Sequence, residues 1–368
     1  MNPTVNSAGQ WVKCPASVQA QQRFPRVGEV SQSTLEGRAC HDIAQKMINA
    51  TLDKSVGSLS NDGVLITQEL FEAAQEYVND VFSLCGDYDL HIEERVSLSE
   101  YLPGWYGIPD CYVYNTTDNH LIIWDAKFGH ELIDAVENWP MMIYAMGLGK
   151  KLNINKQCKI TLRVVQPRSF HSGGTVREWS LTYASLSKYK IILHNKLHDI
   201  AQTEPPAQVG SQCKHCTARA HCETLSRVNY ENIDYMDNLH THNLTGHSLG
   251  MELKLLQRAK KMLEYRLSGL EEQAIHELKT GSHVSFFSVK ESKGREKWRK
   301  DIPVEQIVTV GKLKGVDVCK PVELYTPAQL RKKGIDDTVI MQYSETPSTG
   351  LKLVEMDEKS IKSVFERG

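Results

Sequence analysis

Gly107-Ile-Pro109-Asp110 is followed, after fourteen residues, by Asp125-Ala126-Lys127. Two carboxylates and an ammonium are the groups that metal-assisted phosphodiester hydrolysis requires. The acids offer hard oxygen donors for Mg²⁺ or Mn²⁺, and the lysine can orient a nucleophile or meet charge building on a phosphate. The spacing works only if the chain between them folds back. Residues 111–114 (CYVY) and 120–125 (HLIIWD) read as short strands, and Asn115-Thr-Thr-Asp-Asn119 reads as the turn of a hairpin. Antiparallel pairing then sets Asp110, at the start of one strand, beside Asp125, at the end of its partner. Lys127 lies two residues further on, on the same face by the strand period of two.

His41 is a second candidate. It shares a helical face with Ala44 and Ile48, where a histidine is more often a core residue than a ligand. Glu93 and Glu94 fall on the run 90–98 (LHIEERVSL), which reads as a strand before the hairpin. Alternation sends one of the two inward, and the sequence leaves open which.

Cys213-Lys-His-Cys216-Thr-Ala-Arg-Ala-His-Cys222 concentrates three of the nine cysteines at x2 and x5 spacing. That density points to a metal centre. Zinc would take the three thiolates with His215 or His221, whereas a [4Fe-4S] cluster needs a fourth thiolate. Cys14, which stands alone before Pro15, is an unassigned candidate. Cys40, Cys85, Cys111 and Cys158 are expected in the core, and Cys319 is left without a role.

The elements that must position these groups follow from periodicity. Ser33 and Glu36 form a Ser-x-x-Glu pattern ahead of a helix bearing Ile43, Ala44, Met47 and Ile48. A second helix follows Thr67, a third spans about 138–148, a strand 158–165, and a fourth helix about 184–203. The order α-α-β-β-β-α-β-α predicts an α/β core with a mixed sheet. Residues 229–247 read as a polar linker, dividing residues 1–228 from a C-terminal region, 248–368, that opens with a long helix at about 249–279. Leu253, Leu256, Ala259, Met262, Leu263, Leu267 and Leu270 would form its packing face.

Composition narrows the classes. The chain has 368 residues, 24% charged and 40% hydrophobic, with ordinary Gly and Pro content and a net charge of -2. This excludes collagen-like and low-complexity proteins and gives no global electrostatic pull on nucleic acid. No apolar run reaches the roughly 20 residues of a membrane span, and the first residues lack a signal-peptide order. A cytoplasmic, membrane-free protein is expected, and nine cysteines there suggest metal or buried thiols over disulfides.

Taken together, Trp11-x-x-Cys14-Pro-x-Ser17, Glu36-Gly37-x-x-x-His41, Glu93-x-Arg95-Val96, Gly107-x-x-Asp110, Asp125-x-Lys127-x-Gly129, Gln166-Pro-Arg168, Cys213-x-x-Cys216…Cys222 and Tyr325-Thr-Pro-Ala-Gln329 form a recognisable series. It resembles the RecB-like branch of the PD-(D/E)XK nucleases, in particular phage and prophage proteins with an iron–sulfur cluster, similar to AddB and the CRISPR-adaptation nucleases. The resemblance implies a restriction-endonuclease-like core with a C-terminal helical and mixed extension. It implies that His41, Asp110, Asp125 and the Ala126 carbonyl bind the catalytic divalent metal, that Lys127 is the catalytic lysine, and that Glu93 is the strand glutamate. Cys14, Cys213, Cys216 and Cys222 would hold a [4Fe-4S] cluster. Tyr144 matches a tyrosine that contacts DNA, but Pro140 stands where the family carries a glutamine.

The expected function is a metal-dependent DNA exonuclease in phage DNA replication or recombination, in the bacterial host cytoplasm. The alternatives are a non-catalytic DNA-binding recombination protein on a nuclease fold and a structure-specific endonuclease. DNA is the expected partner, with a phage single-strand-binding or annealing protein and a second copy of the chain as further candidates. Lys293, Arg295, Lys297, Trp298 and Arg299 mix cations with an aromatic ring, as phosphate contact plus base stacking would use.

Overall fold

The computed structural model describes residues 2–26, 30–169, 171, 173–237 and 244–290, with isolated residues 305, 309 and 338. The chain divides into two compact units, Met1–Lys290 and Glu291–Gly368. Lys293, Arg295, Lys297, Trp298, Arg299 and Cys319 lie outside the described residues.

Short helices α1 (Ala8–Trp11) and α2 (Ser17–Arg23) lead into α3 (Gln32–Ile48) and α4 (Gln68–Cys85). The cap of α3 is Ser31, whose hydroxyl accepts from the Thr34 amide at 3.3 Å. The Ser33–Glu36 capping box therefore does not form, and Glu36 instead binds Arg168. Thr67 caps α4 as its sequence suggests, accepting from the Leu70 amide.

Strands β1 (Leu90–Ile92), β2 (Val96–Ser97), β3 (Tyr106–Gly107), β4 (Cys111–Asn115) and β5 (His120–Ala126) follow. Helix α5 (Trp139–Lys151), β6 (Lys159–Val165) and β7 (Val176–Thr182) complete the centre. Five strands make one sheet in the order β1-β4-β5-β6-β7, while β2 pairs with β3 alone. Neighbours run antiparallel except β5 and β6, which are parallel and so need a crossover; α5 lies within it. The protein is a mixed α/β structure whose mixed sheet is flanked by helices.

Strand β5 shows how the layers are made. Leu121 and Ile123 enter a core shared with α5 and α6 (Ser187–Ile200), while Ile122, Trp124 and Ala126 enter a second core with α3 and α4. A strand buried on both faces must be nearly continuous in apolar residues, and β5 is, apart from His120 at its start and Asp125 near its end.

Two strand expectations are corrected. The run 90–98 is not one strand: β1 stops at Ile92, Glu93 takes a left-handed φ of 45°, and Val96-Ser97 joins the small sheet. Strand β7 was absent from the expected order. It is an edge strand whose residues are half-buried or exposed in alternation, so it carries no apolar run to betray it.

Asp80 fastens α4 to the sheet. Its carboxylate accepts from Arg163 Nε (2.7 Å), Arg163 Nη2 (2.8 Å) and the buried Trp124 indole (3.0 Å). Asp80→Ala is expected to cost about 2 kcal/mol, because it leaves the mostly buried Arg163 guanidinium with Glu178 alone and the Trp124 indole N–H without its acceptor. Urea unfolding would show this as a lower midpoint at unchanged slope; an unmoved midpoint would mean that water replaces the carboxylate.

Past the cysteine-rich stretch, α7 (Glu223–Asp237) runs through the first half of the segment expected as a linker, and α8 (Gly246–Lys279) follows. The polarity of that segment is partly the polarity of a solvated helix. The packing face of α8 also differs from expectation: Ala259, Met262 and Gly269 are buried, whereas Leu256, Leu267 and Leu270 are 40%, 57% and 41% exposed. A Cβ on Gly269 would stand 2.9 Å from the Ala220 amide nitrogen, so glycine there lets α8 lie directly on residues 217–220. Arg266 locks the contact by donating to the carbonyls of Arg219 and Ala220.

Candidate active site and thiol cluster

The pairing register brings the two acids together. Cys111 lies opposite Trp124, so Asp110 and Asp125 fall at the same end of the β4–β5 hairpin. Asp110 Oδ2 accepts from the Ala126 amide at 2.6 Å, and Lys127 Nζ donates to Asp125 Oδ1 at 2.8 Å. Asp125 is 7% exposed, while the Lys127 side chain is 40% exposed. Burial lifts the Asp125 carboxyl above its usual range, against the pull of Lys127; Asp110 adds to the rise. Burial works against the Lys127 charge, yet Asp125 and Asp110 outweigh it and hold the ammonium above its usual value.

His41 and Glu93 belong to the same neighbourhood. The His41 ring sits edge-on to Phe128, with centroids 5.0 Å apart, close enough to Asp125 and Glu93 to influence both electrostatically. Glu93 donates its amide to the Asp110 carbonyl (2.9 Å), and its carboxylate accepts from Gln45. Burial first and the Asp110 charge second disfavour its ionised form, so its pKa sits above the ordinary glutamate value. Glu94 turns away to Lys151, Tyr112 and His91. Of the two neighbouring glutamates, Glu93 is the one beside the acid pair.

Tyr144 approaches from α5. Its hydroxyl donates to Asn6 Oδ1 at 2.5 Å, and burial together with the charges of Asp125 and Asp110 raises its pKa. A Cβ on Gly107 would come within 2.5 Å of the Tyr144 ring and 3.3 Å of Val5, so this close approach requires glycine. Gly107→Ala is expected to displace the Tyr144 ring and to cost about 1–3 kcal/mol by overpacking. Calorimetry reads this as a fall in melting temperature, and an unchanged value would show that the ring yields freely.

Sequence reasoning quoted Gln166 and Arg168 without giving them a task. Arg168 binds Glu36 on α3 (2.7 Å), Glu69 on α4 (3.1 Å) and the Phe128 carbonyl (3.3 Å), tying the helix of His41 to the loop after Lys127. Gln166, fully buried, donates to the carbonyls of Gly129 and Glu131 and accepts from the Ile133 amide. These two side chains fix the path of residues 128–133. A buried polar pair leaves no periodic trace in a sequence, which is why the spacing alone did not reveal them.

The four thiols also meet. Cys14, Cys213, Cys216 and Cys222 line one cavity of about 250 Å³. Cys14 Sγ accepts from the Gln208 amide and Cys222 Sγ from the Leu225 amide, each at 3.4 Å. Burial raises the thiols of Cys14 and Cys213 and pushes Cys216 up to about 11. His215 is turned away to Glu131 at 2.9 Å, and His221 stacks on Phe24 with centroids 4.1 Å apart. Among the described residues, no group of three or more His, Cys, Asp or Glu side chains is arranged to hold a metal ion as it stands. Both clusters are therefore neighbourhoods of donors, not closed coordination shells. Cys40, Cys85, Cys111 and Cys158 are buried free thiols, as expected.

Fold and site define a mixed α/β protein with an acid–lysine cluster at one end of its sheet and four thiols around a separate cavity. The chain belongs to the family described as "Protein of unknown function (DUF2800)", whose model matches residues 4–359. It is also similar to a solved structure titled "Crystal structure of SSO0001", at 12% identity over 60% of this chain and 85% of that one, with a TM-score of 0.27. An overlap of that size assigns neither fold nor function. No described helix is long and apolar enough to cross a membrane.

Proposed function

We propose that this protein is a divalent-metal-dependent deoxyribonuclease with a PD-(D/E)XK-type core. The observation that carries the reading is the convergence of Asp110, Asp125 and Lys127 at one hairpin end, with His41 and Glu93 beside them. Asp110, Asp125, His41 and the Ala126 carbonyl are the groups that would hold Mg²⁺ or Mn²⁺, a donor set suited to a hard or borderline cation. Bound there, the cation would supply water activation and charge neutralisation at the phosphate. Lys127, kept protonated by the two acids, is placed to stabilise charge on the phosphate oxygens. Glu93, beside Asp110, is the further carboxylate this reading assigns to the site.

The cysteine cavity reads as a structural iron–sulfur site. Four soft donors around one space suit a [4Fe-4S] cluster, and two sulfurs already receive backbone N–H groups of the kind that stabilise thiolate. Zinc bound by three cysteines and a histidine is the second reading; the engagement of His215 with Glu131 and of His221 with Phe24 weighs against it. The direct test of the enzyme is purified protein with Mg²⁺ or Mn²⁺ on linear and circular DNA labelled at either end. Loss of label from linear DNA alone supports an exonuclease, and nicking of circles supports an endonuclease. Binding without cleavage would leave the non-catalytic reading.

A further inference from the structure

A separate cavity, of about 340 Å³, is lined on one side by the chain just before Asp110, ending at Ile108. Its walls are the N-terminal residues 2–6, the stretch from Gly104 to Ile108, and Tyr144. Among the described residues, its lining holds no acidic or basic side chain; the side-chain polar groups include the amides of Asn2 and Asn6 and the hydroxyls of Thr4, Tyr106 and Tyr144. The N-terminal wall is held in place by two indoles. Trp105 donates to the Pro3 carbonyl at 2.6 Å and Trp11 to the Thr4 carbonyl at 2.8 Å. The opposite wall carries two side chains that a core would normally claim, Tyr106 and Ile108, which are 44% and 45% exposed. Arg95 lies over the Tyr106 ring, 3.5 Å from its centroid.

We propose that this cavity receives an unpaired nucleobase of the DNA strand whose phosphate sits at Asp110 and Asp125, with Tyr106 as the stacking surface. This rests on the nuclease reading and narrows its substrate to DNA with a single-stranded end. A neutral lining of amides, hydroxyls and aromatic surface matches a planar, uncharged, hydrogen-bonding group and offers little to a phosphate. The volume is that of a small-molecule pocket. Distance fits as well: Ile108 is two residues before Asp110, or about 7 Å of extended chain, so a base in the cavity and a phosphate at the acids belong to one short stretch of strand. Tyr144 lines the cavity and its ring lies against Gly107, three residues before Asp110. Arg95, already against the ring, is placed to meet the backbone phosphate next to a stacked base.

The test uses the full chain and a hairpin duplex with a short 3′ or 5′ tail ending in 2-aminopurine, against the same duplex with a blunt end. Wild-type protein should quench the tail fluorescence. Tyr106→Ala should abolish the quench and weaken binding of tailed DNA about tenfold, with blunt-duplex affinity unchanged. Tyr106→Phe should retain both. The exposure of Tyr106 makes these variants safe for the fold, and circular dichroism checks it. If Tyr106→Ala binds and quenches like wild type, or loses tailed and blunt DNA equally, the proposal fails. Cleavage by a variant indifferent to Tyr106 would sink the pocket and leave the nuclease; Tyr106-dependent tail binding without any cleavage would do the reverse.

Discussion

Lys127→Ala is expected to lower metal-dependent DNA cleavage by about a thousandfold or more, the equivalent of roughly 4 kcal/mol of barrier. The fold should survive, since the Lys127 side chain is 40% exposed. What the substitution leaves behind is Asp125, buried and without its 2.8 Å partner. Burial already holds that carboxyl above its usual range, and loss of the lysine removes the largest influence that opposes the rise. Asp125→Asn is the matched experiment, because it keeps the shape of a side chain only 7% exposed and removes the charge. Single-turnover cleavage of end-labelled DNA with Mn²⁺ measures both. Near wild-type rates in either variant, with intact circular dichroism, would put the site elsewhere.

The second large effect concerns the thiols. Protein purified without oxygen is expected to be brown and to hold about four irons per chain. Cys14→Ser should then lose iron and stability much as Cys213→Ser does, although these residues are far apart in sequence, because both line one cavity. Burial holds Cys14, Cys213 and Cys216 as neutral thiols when nothing is bound, so loading should release protons and its affinity should rise with pH. Stoichiometric zinc without iron, and a Cys14→Ser variant as stable as wild type, would instead favour a three-cysteine site.

What the sequence disclosed and what it hid divide along physical lines. The hairpin was legible because its turn residues and apolar alternation are local signals, and the meeting of Asp110 and Asp125 follows from pairing alone. The strand break at Glu93 was hidden, since nothing in a glutamate announces a φ of 45°. Strand β7 was hidden because an edge strand with one wet face has no need of an apolar run. Ser31 and Ser33 are both plausible caps, and only the Thr34 amide decides between them. For α8 the leucines were conspicuous but the tight contact is made by Ala259, Met262 and Gly269, where small size matters more than hydrophobicity.

The contact between Cys14 and Gln208 has a consequence for how the chain is made. Its two ends are 194 residues apart. At a synthesis rate of about 5–20 residues per second, some 10–40 seconds pass between the emergence of Cys14 and that of its neighbours. Throughout that interval the N-terminal thiol has no cavity to occupy, while the sheet behind it is being completed. The cysteine cavity thus cannot close until Cys222 has emerged, after the last strand of the sheet at Thr182, so a cofactor delivered to it arrives at a chain whose sheet-forming residues are all already made.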